Sequence, residues 1–108
     1  MNSMRDISVE ELGEWRLQGR AFVLLDVREP VELRLARIEG ALHIPMRALA
    51  QRTEELDREA EIVVLCHSGS RSAHSARFLA ANGFTRVYNL RGGIDAYARR
   101  IDPTISTY

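Results

Sequence analysis

At 108 residues, 45% hydrophobic and 28% charged, the chain has the size and makeup of one globular domain with its own core, which excludes a disordered or fibrous protein. Fifteen arginines, with no lysine, balance fifteen acids, so no net charge draws the molecule to nucleic acid or to an anionic membrane surface. A single cysteine, Cys66, excludes an internal disulfide and a cysteine-rich zinc site.

Met1 to Glu11 holds no apolar stretch, so no signal peptide is expected. The longest apolar runs fall far short of the ~20 residues that cross a bilayer. The expectation is a soluble, cytoplasmic protein. Along the chain, Ser8 and Glu11 have the spacing of a capping box and open a helix over Val9–Gln18, which Gly19 closes. Ala21–Leu25 is a continuous apolar run, the mark of a strand covered on both faces. Glu29-Pro30 starts a short helical turn, from whose end Leu35 and Ile38 are expected to face inward. Ala41–Ile44 reads as a short strand ended by Pro45, and Met46–Leu56 as a helix.

Glu61–Leu65 is a second buried strand. Ser72–Asn82 is a helix with Ala73, Ala76, Leu79 and Ala80 on one face, and Gly83 fits a left-handed cap that lets Phe84 pack back on Leu79. Arg86–Tyr88 is a last strand and Gly93–Arg100 a last helix, while nothing in 101–108 is informative. Strands separated by helical stretches favour parallel pairing through right-handed crossovers. The expected fold is therefore α/β: one domain, an open, mainly parallel sheet of about five strands, with helices on both faces. In such sheets ligands bind beyond the carboxyl ends of the strands. Two segments rich in reactive groups fall there, Asp26-Val27-Arg28-Glu29 and Cys66-His67-Ser68-Gly69-Ser70-Arg71.

The second segment is the informative one. Small residues around Gly69 let successive backbone N–H groups turn inward as an anion-binding nest, and the following helix aims its positive end at the same point. Such donors stabilise a thiolate and not a thiol, so Cys66 is expected to be a reachable sulfur anion. Between Ile62 and Ile94 there is no acid, while Arg71, Arg77, Arg86 and Arg91 all fall there. Arg71 opposes the helix dipole by about 0.3–1 kcal/mol, a cost that an anion facing it would offset.

Cys66-x-x-Gly69-x-Arg71-Ser72 resembles the active-site loop of the rhodanese-like sulfurtransferases. Three more blocks are similar to that family's signatures, in its order: Leu25-Asp26-Val27-Arg28-Glu29-Pro30-x-Glu32, Ile38-Glu39-Gly40-Ala41-x-His43-Ile44-Pro45, and Val87-Tyr88-Asn89-Leu90-x-Gly92-Gly93 with Ala96-Tyr97. The domain that these blocks mark is expected over residues 5–100, leaving 101–108 as a C-terminal tail. Ala36-Arg37 stand where the family usually has Gly-His, and Tyr97 where it often has tryptophan.

The resemblance implies sulfur transfer by double displacement. Cys66 takes a sulfane sulfur from a donor such as thiosulfate or a low-molecular-weight persulfide, then passes it to a thiol or to cyanide. It further implies that Arg71 binds an anionic donor, that Gly69 lets the backbone approach, and that Ser68 and Ser70 add hydroxyl donors. His67 is read as lining the loop, and Asp26 and Arg28 as a supporting pair. No cofactor or metal is expected. With no second cysteine the acceptor is external: glutathione, thioredoxin or a partner protein's thiol. Two alternatives stand beside this reading. One is a persulfide carrier or regulatory module without turnover. The other is a cysteine phosphatase or arsenate reductase, whose cell-cycle relatives place five residues between cysteine and arginine where this chain has four.

Overall fold

The computed structural model describes residues 3–108, so Met1 and Asn2, where the reading of a leaderless N-terminus begins, lie outside the described residues. Five strands, β1 (Arg5–Ile7), β2 (Val23–Asp26), β3 (Leu42–His43), β4 (Glu61–Leu65) and β5 (Arg86–Leu90), form one sheet in the order β1-β5-β4-β2-β3. Every pair is parallel. Four helices accompany them: α1 (Val9–Leu17), α2 (Pro30–Leu35), α3 (Ser70–Ala81) and α4 (Gly93–Arg100).

Side chains of a strand alternate between faces, and β4 shows what that does in a sheet covered twice. Ile62, Val64 and, just past the strand, Cys66 enter a core with Leu79 of α3 and Phe84. Val63 and Leu65 enter the opposite core with Leu12 of α1 and Ile94 of α4. The nucleophile candidate thus leaves the central strand on the α3 side. Ser8 and Glu11 make the reciprocal capping box at the start of α1. Phe84 N–H bonds Leu79 O past the left-handed Gly83, as the cap pattern predicts. Among the described residues no helix is long and apolar enough to cross a membrane.

Several elements differ from their sequence pattern. Residues 46–56 form no continuous helix but two short 3-10 segments, Met46–Gln51 and Thr53–Glu55, interrupted at Arg52 with φ −123°. Only Leu49 and Leu56 of this stretch are buried in the core, so little apolar surface holds an α-helical register, and i→i+3 bonds such as Arg52 N–H to Leu49 O suffice. Leu35 is 53% exposed while Ile38 is buried. The chain turns extended at Ala36, φ −165°, so the two side chains no longer share a helical phase. Helix α3 starts at Ser70, two residues early, because Gly69 at φ +115° turns the chain directly into it. The sequence shows no strand at β1, whose three residues bury only Ile7; pairing with β5 makes it one.

Candidate active site

Cys66 sits at the carboxyl end of the central strand, at the foot of α3. Its Sγ accepts hydrogen bonds from Gly69 N–H at 3.1 Å, Ser72 N–H at 3.3 Å and the Ser72 hydroxyl at 3.3 Å. Gly69, the N-cap of α3, makes no side-chain cap bond, so the sulfur does the capping. It takes orphan N–H groups of the first turn and stands at the positive end of the helix dipole. Three donors thus point at one sulfur. The sulfur is more enclosed than the loop composition suggests, with Cys66 only 1% exposed.

The Ser72 hydroxyl has one proton and two neighbours, since Asn89 Oδ1 lies at 2.6 Å. Asn89 Nδ2 in turn donates to Asp6 Oδ1 at 3.3 Å, which orients the amide. A row Asp6–Asn89–Ser72–Cys66 therefore runs from the edge strand β1 to the sulfur. When the sulfur is a thiolate, Ser72 donates to it. When it is a thiol, its proton finds the Ser72 oxygen while that hydroxyl donates to Asn89. The proton is thus shared: donated to the sulfur it leaves Asn89 Oδ1, and donated to Asn89 it leaves the sulfur with the Gly69 and Ser72 N–H groups.

The backbone around the sulfur is held from the other side. Ile94 N–H bonds Cys66 O at 2.9 Å and Asp95 N–H bonds His67 O at 3.0 Å, so the start of α4 rests on the loop's carbonyls. The contact requires Gly93, at φ +62°, where a Cβ would fall 2.4 Å from His67 O and 2.6 Å from Cys66 O.

Arg71 has its anion, and the anion is internal. Glu32 of α2, 39 residues away, takes both Nη atoms at 2.7 and 2.9 Å. Within the acid-free span, Arg71 is thus paired in space with a carboxylate from outside it. The Arg71 bond holds the Glu32 carboxyl down to about 2, against burial, with backbone donation at Glu29 and the Tyr108 hydroxyl helping. Arg71 is raised above its ordinary value, chiefly by the same bond, with Cys66 and Tyr108 close enough to add to it. A depressed carboxylate stabilises the fold fully above its unfolded value of 4.5 and loses that contribution as pH falls toward about 2. Melting curves of wild type and Glu32→Gln are expected to differ at neutral pH and to converge through that acid window. A gap that stays constant down to its lower end would rule out ionic pairing as the cause.

Asp26 and Arg28 form a pair beneath this layer, 1% and 0% exposed, with Arg28 Nη2 2.7 Å from Asp26 Oδ2. Arg28 also donates to Ala36 O at 2.8 Å and to the Tyr108 hydroxyl at 2.9 Å. Burial opposes its charge, and the bonds to Asp26 and Tyr108 outweigh it, leaving Arg28 raised. His43 Nε2 lies 2.7 Å from Arg28 O, which assigns its proton to that nitrogen.

Of the remaining loop residues, Ser68 and Ser70 are exposed, and the hydroxyl at the sulfur belongs to Ser72. His67 is half-buried, with Nε2 unpartnered and its ring stacked on Tyr108, centroids 4.1 Å apart and planes at 15°. The tail segment 101–108, uninformative as sequence, therefore reaches the site.

A family model described as Rhodanese-like domain matches residues 8–100. The chain belongs to the rhodanese-like domain family. A relative from Allochromatium vinosum named "Sulfurtransferase" is 34% identical over 103 residues, covering 95% of this chain and 96% of the relative. The chloroplastic Rhodanese-like/PpiC domain-containing protein 12 of Arabidopsis thaliana is 40% identical, but the chain spans only 38% of its length. The crystal structure of a rhodanese-related protein from Thermoplasma volcanium superposes with a TM-score of 0.83 at 32% identity, covering 96% of this chain and 99% of that one. The two departures from the rhodanese-like pattern have defined places here. Tyr97 is buried in the α1–α4 core, and Ala36 supplies the carbonyl that Arg28 holds. Sequence reading missed Ser72 as the hydroxyl donor, Asn89 and Asp6 behind it, Glu32 as the partner of Arg71, and Tyr108. Ser72 and Asn89 lie inside family-like blocks, and that was their available signal; Tyr108 had none.

Proposed function

We propose that this chain is a sulfurtransferase that carries a sulfane sulfur as a persulfide on Cys66. The observation that carries the reading is the sulfur held by the Gly69 and Ser72 N–H groups and the Ser72 hydroxyl. In the first step the Cys66 thiolate attacks the outer sulfur of a donor, a persulfide R–S–SH or thiosulfate. A new S–S bond forms, the donor's S–S bond breaks, and its electron pair leaves with the thiol or sulfite. In the second, an acceptor thiolate, or cyanide in an assay, attacks the outer sulfur and releases the Cys66 thiolate. Oxidation states balance across the cycle and no cofactor takes part. The cup's donors are in place before negative sulfur develops, which is electrostatic preorganisation.

Gly69 brings the backbone close to the sulfur, while Arg71 and His67 form the rim that meets the donor, with the Ser68 and Ser70 hydroxyls outside them. Asp26 and Arg28 support the rim from below. The acceptor is an external thiol, of glutathione, thioredoxin or a partner protein, because the chain has no second cysteine. Intact mass after exposure to thiosulfate, glutathione persulfide and a protein persulfide tests the reading. A gain of one sulfur that an acceptor thiol removes supports it; no adduct from any donor would sink it.

The Glu32 pairing sets the direction of two charge variants. Arg71→Ala leaves a carboxylate unopposed beside the loop and is expected to raise the KM for thiosulfate. Glu32→Gln leaves the cation unopposed and is expected to lower it. Each shift should be several-fold, about the 1 kcal/mol of a partly exposed ion pair. Thiocyanate formation over a thiosulfate series measures both. Opposite signs are required, and shifts in one direction would refute the charge argument.

A further inference from the structure

Cys66 is 1% exposed, yet sulfur transfer requires a donor atom to reach it, so something at the rim moves. The loop backbone is a poor candidate, since α3 and α4 hold it by hydrogen bonds on both sides. Tyr108 is a better one. Its ring lies flat on His67, the residue next to the nucleophile. Its hydroxyl accepts from Arg28 Nη1 at 2.9 Å and donates to Glu32 Oε2 at 2.8 Å, the carboxylate that grips Arg71. One side chain thus joins His67 and Glu32 at the rim to Arg28 beneath them, while remaining 37% exposed.

What ties it down is narrow. Thr104 and Asp102 close a turn, and Ile105 packs against the α1–α4 core. Beyond Ile105, among the described residues, no backbone hydrogen bond holds 106–108 to the body, so the Tyr108 side chain is itself the latch. Beneath it lies an unpartnered buried atom, His67 Nε2, a costly state in a protein interior that ends when the cover lifts and a polar group or water arrives.

We propose that Tyr108 is a specificity-determining lid residue: seated on His67 and latched to Arg28 and Glu32, it narrows the approach to Cys66, and its displacement admits donors with a bulky body. The inference rests on the sulfur-transfer reading for its substrates, but not for its geometry. When the ring swings away, Arg28 Nη1 and His67 Nε2 face the entrance and take polar groups of the incoming persulfide. A slim donor such as thiosulfate needs a smaller opening than glutathione persulfide, so the two respond differently to loss of the ring.

The test compares wild type, Tyr108→Ala and Tyr108→Phe. The readouts are Cys66 alkylation by iodoacetamide and kcat/KM with thiosulfate and with glutathione persulfide, after circular dichroism establishes that each variant is folded. Reactivity of a covered group follows the population of the open form, so Tyr108→Ala is expected to alkylate about tenfold faster. Its kcat/KM should rise more for glutathione persulfide than for thiosulfate. Tyr108→Phe keeps the stack, loses both hydroxyl bonds, and should fall between the other two. Unchanged alkylation, or equal factors for both donors, would overturn the lid. No sulfur loading in any variant would instead defeat the transferase reading, while the alkylation rates still decide whether Tyr108 covers the thiol.

Discussion

Cys66→Ser is expected to abolish sulfur transfer while leaving the fold intact. A serine oxygen is a poor nucleophile toward sulfane sulfur, and the S–O linkage it would form cannot stand in for a persulfide. Nothing else in the chain can take over, as there is no other cysteine. Removing the nucleophile of a covalent cycle costs on the order of 10⁶ in kcat where it has been measured. Structurally the change is mild. The hydroxyl is somewhat smaller than the thiol, and the Gly69 and Ser72 donors that faced sulfur can face oxygen. A stability change within about 1 kcal/mol is expected. Thiocyanate formation, intact mass after donor treatment and a thermal melt check the three parts together. A sulfur adduct persisting in the serine variant would place the persulfide elsewhere and end the assignment of Cys66.

The second large effect is on stability. Arg28→Leu removes the only cation bonded to the Asp26 carboxylate among the described residues, a carboxylate 1% exposed, and frees Ala36 O and the Tyr108 hydroxyl as well. Breaking one side of a buried pair leaves an uncompensated charge, a loss of about 3–5 kcal/mol. For a domain of this size, that lowers the Tm by about 15 °C or more. The penalty belongs mainly to the stranded carboxylate, which gives a sharper test. Adding Asp26→Leu to Arg28→Leu should recover much of the loss, because replacing both partners removes the unpaired charge. A double variant as unstable as the sum of its singles would mean that the ion pair is not the source.

How much of this could be read in advance depended on distance along the chain. The strand Glu61–Leu65 and the helix Gly93–Arg100 were legible because each announces itself within a few residues, by an apolar run or by a paired glycine and 3.6 spacing. The Cys66 loop was legible for the same reason, its parts lying within six residues of one another. Glu32 reaches Arg71 across 39 residues, Asn89 reaches Asp6 across 83, and Tyr108 reaches Glu32 across 76. No periodicity encodes such meetings; they exist because parallel crossovers bring the ends of separate strands together. The stretch 46–56 failed for the opposite reason: its local pattern suits a helix, while two buried leucines anchor it too sparsely to enforce one.

The grip of α4 on the loop fixes more than position. A peptide unit is rigid, so an oxygen engaged outward obliges the rest of its plane to keep its orientation. With the Cys66 and His67 oxygens committed to Ile94 and Asp95, flipping either unit would forfeit its bond. The two units so held carry the His67 and Ser68 N–H groups, so the chain that leads from Cys66 to the Gly69 donor keeps its path. If the proposed sulfur transfer holds, loading a second sulfur changes the charge within that frame, and the motion falls to the Tyr108 cover.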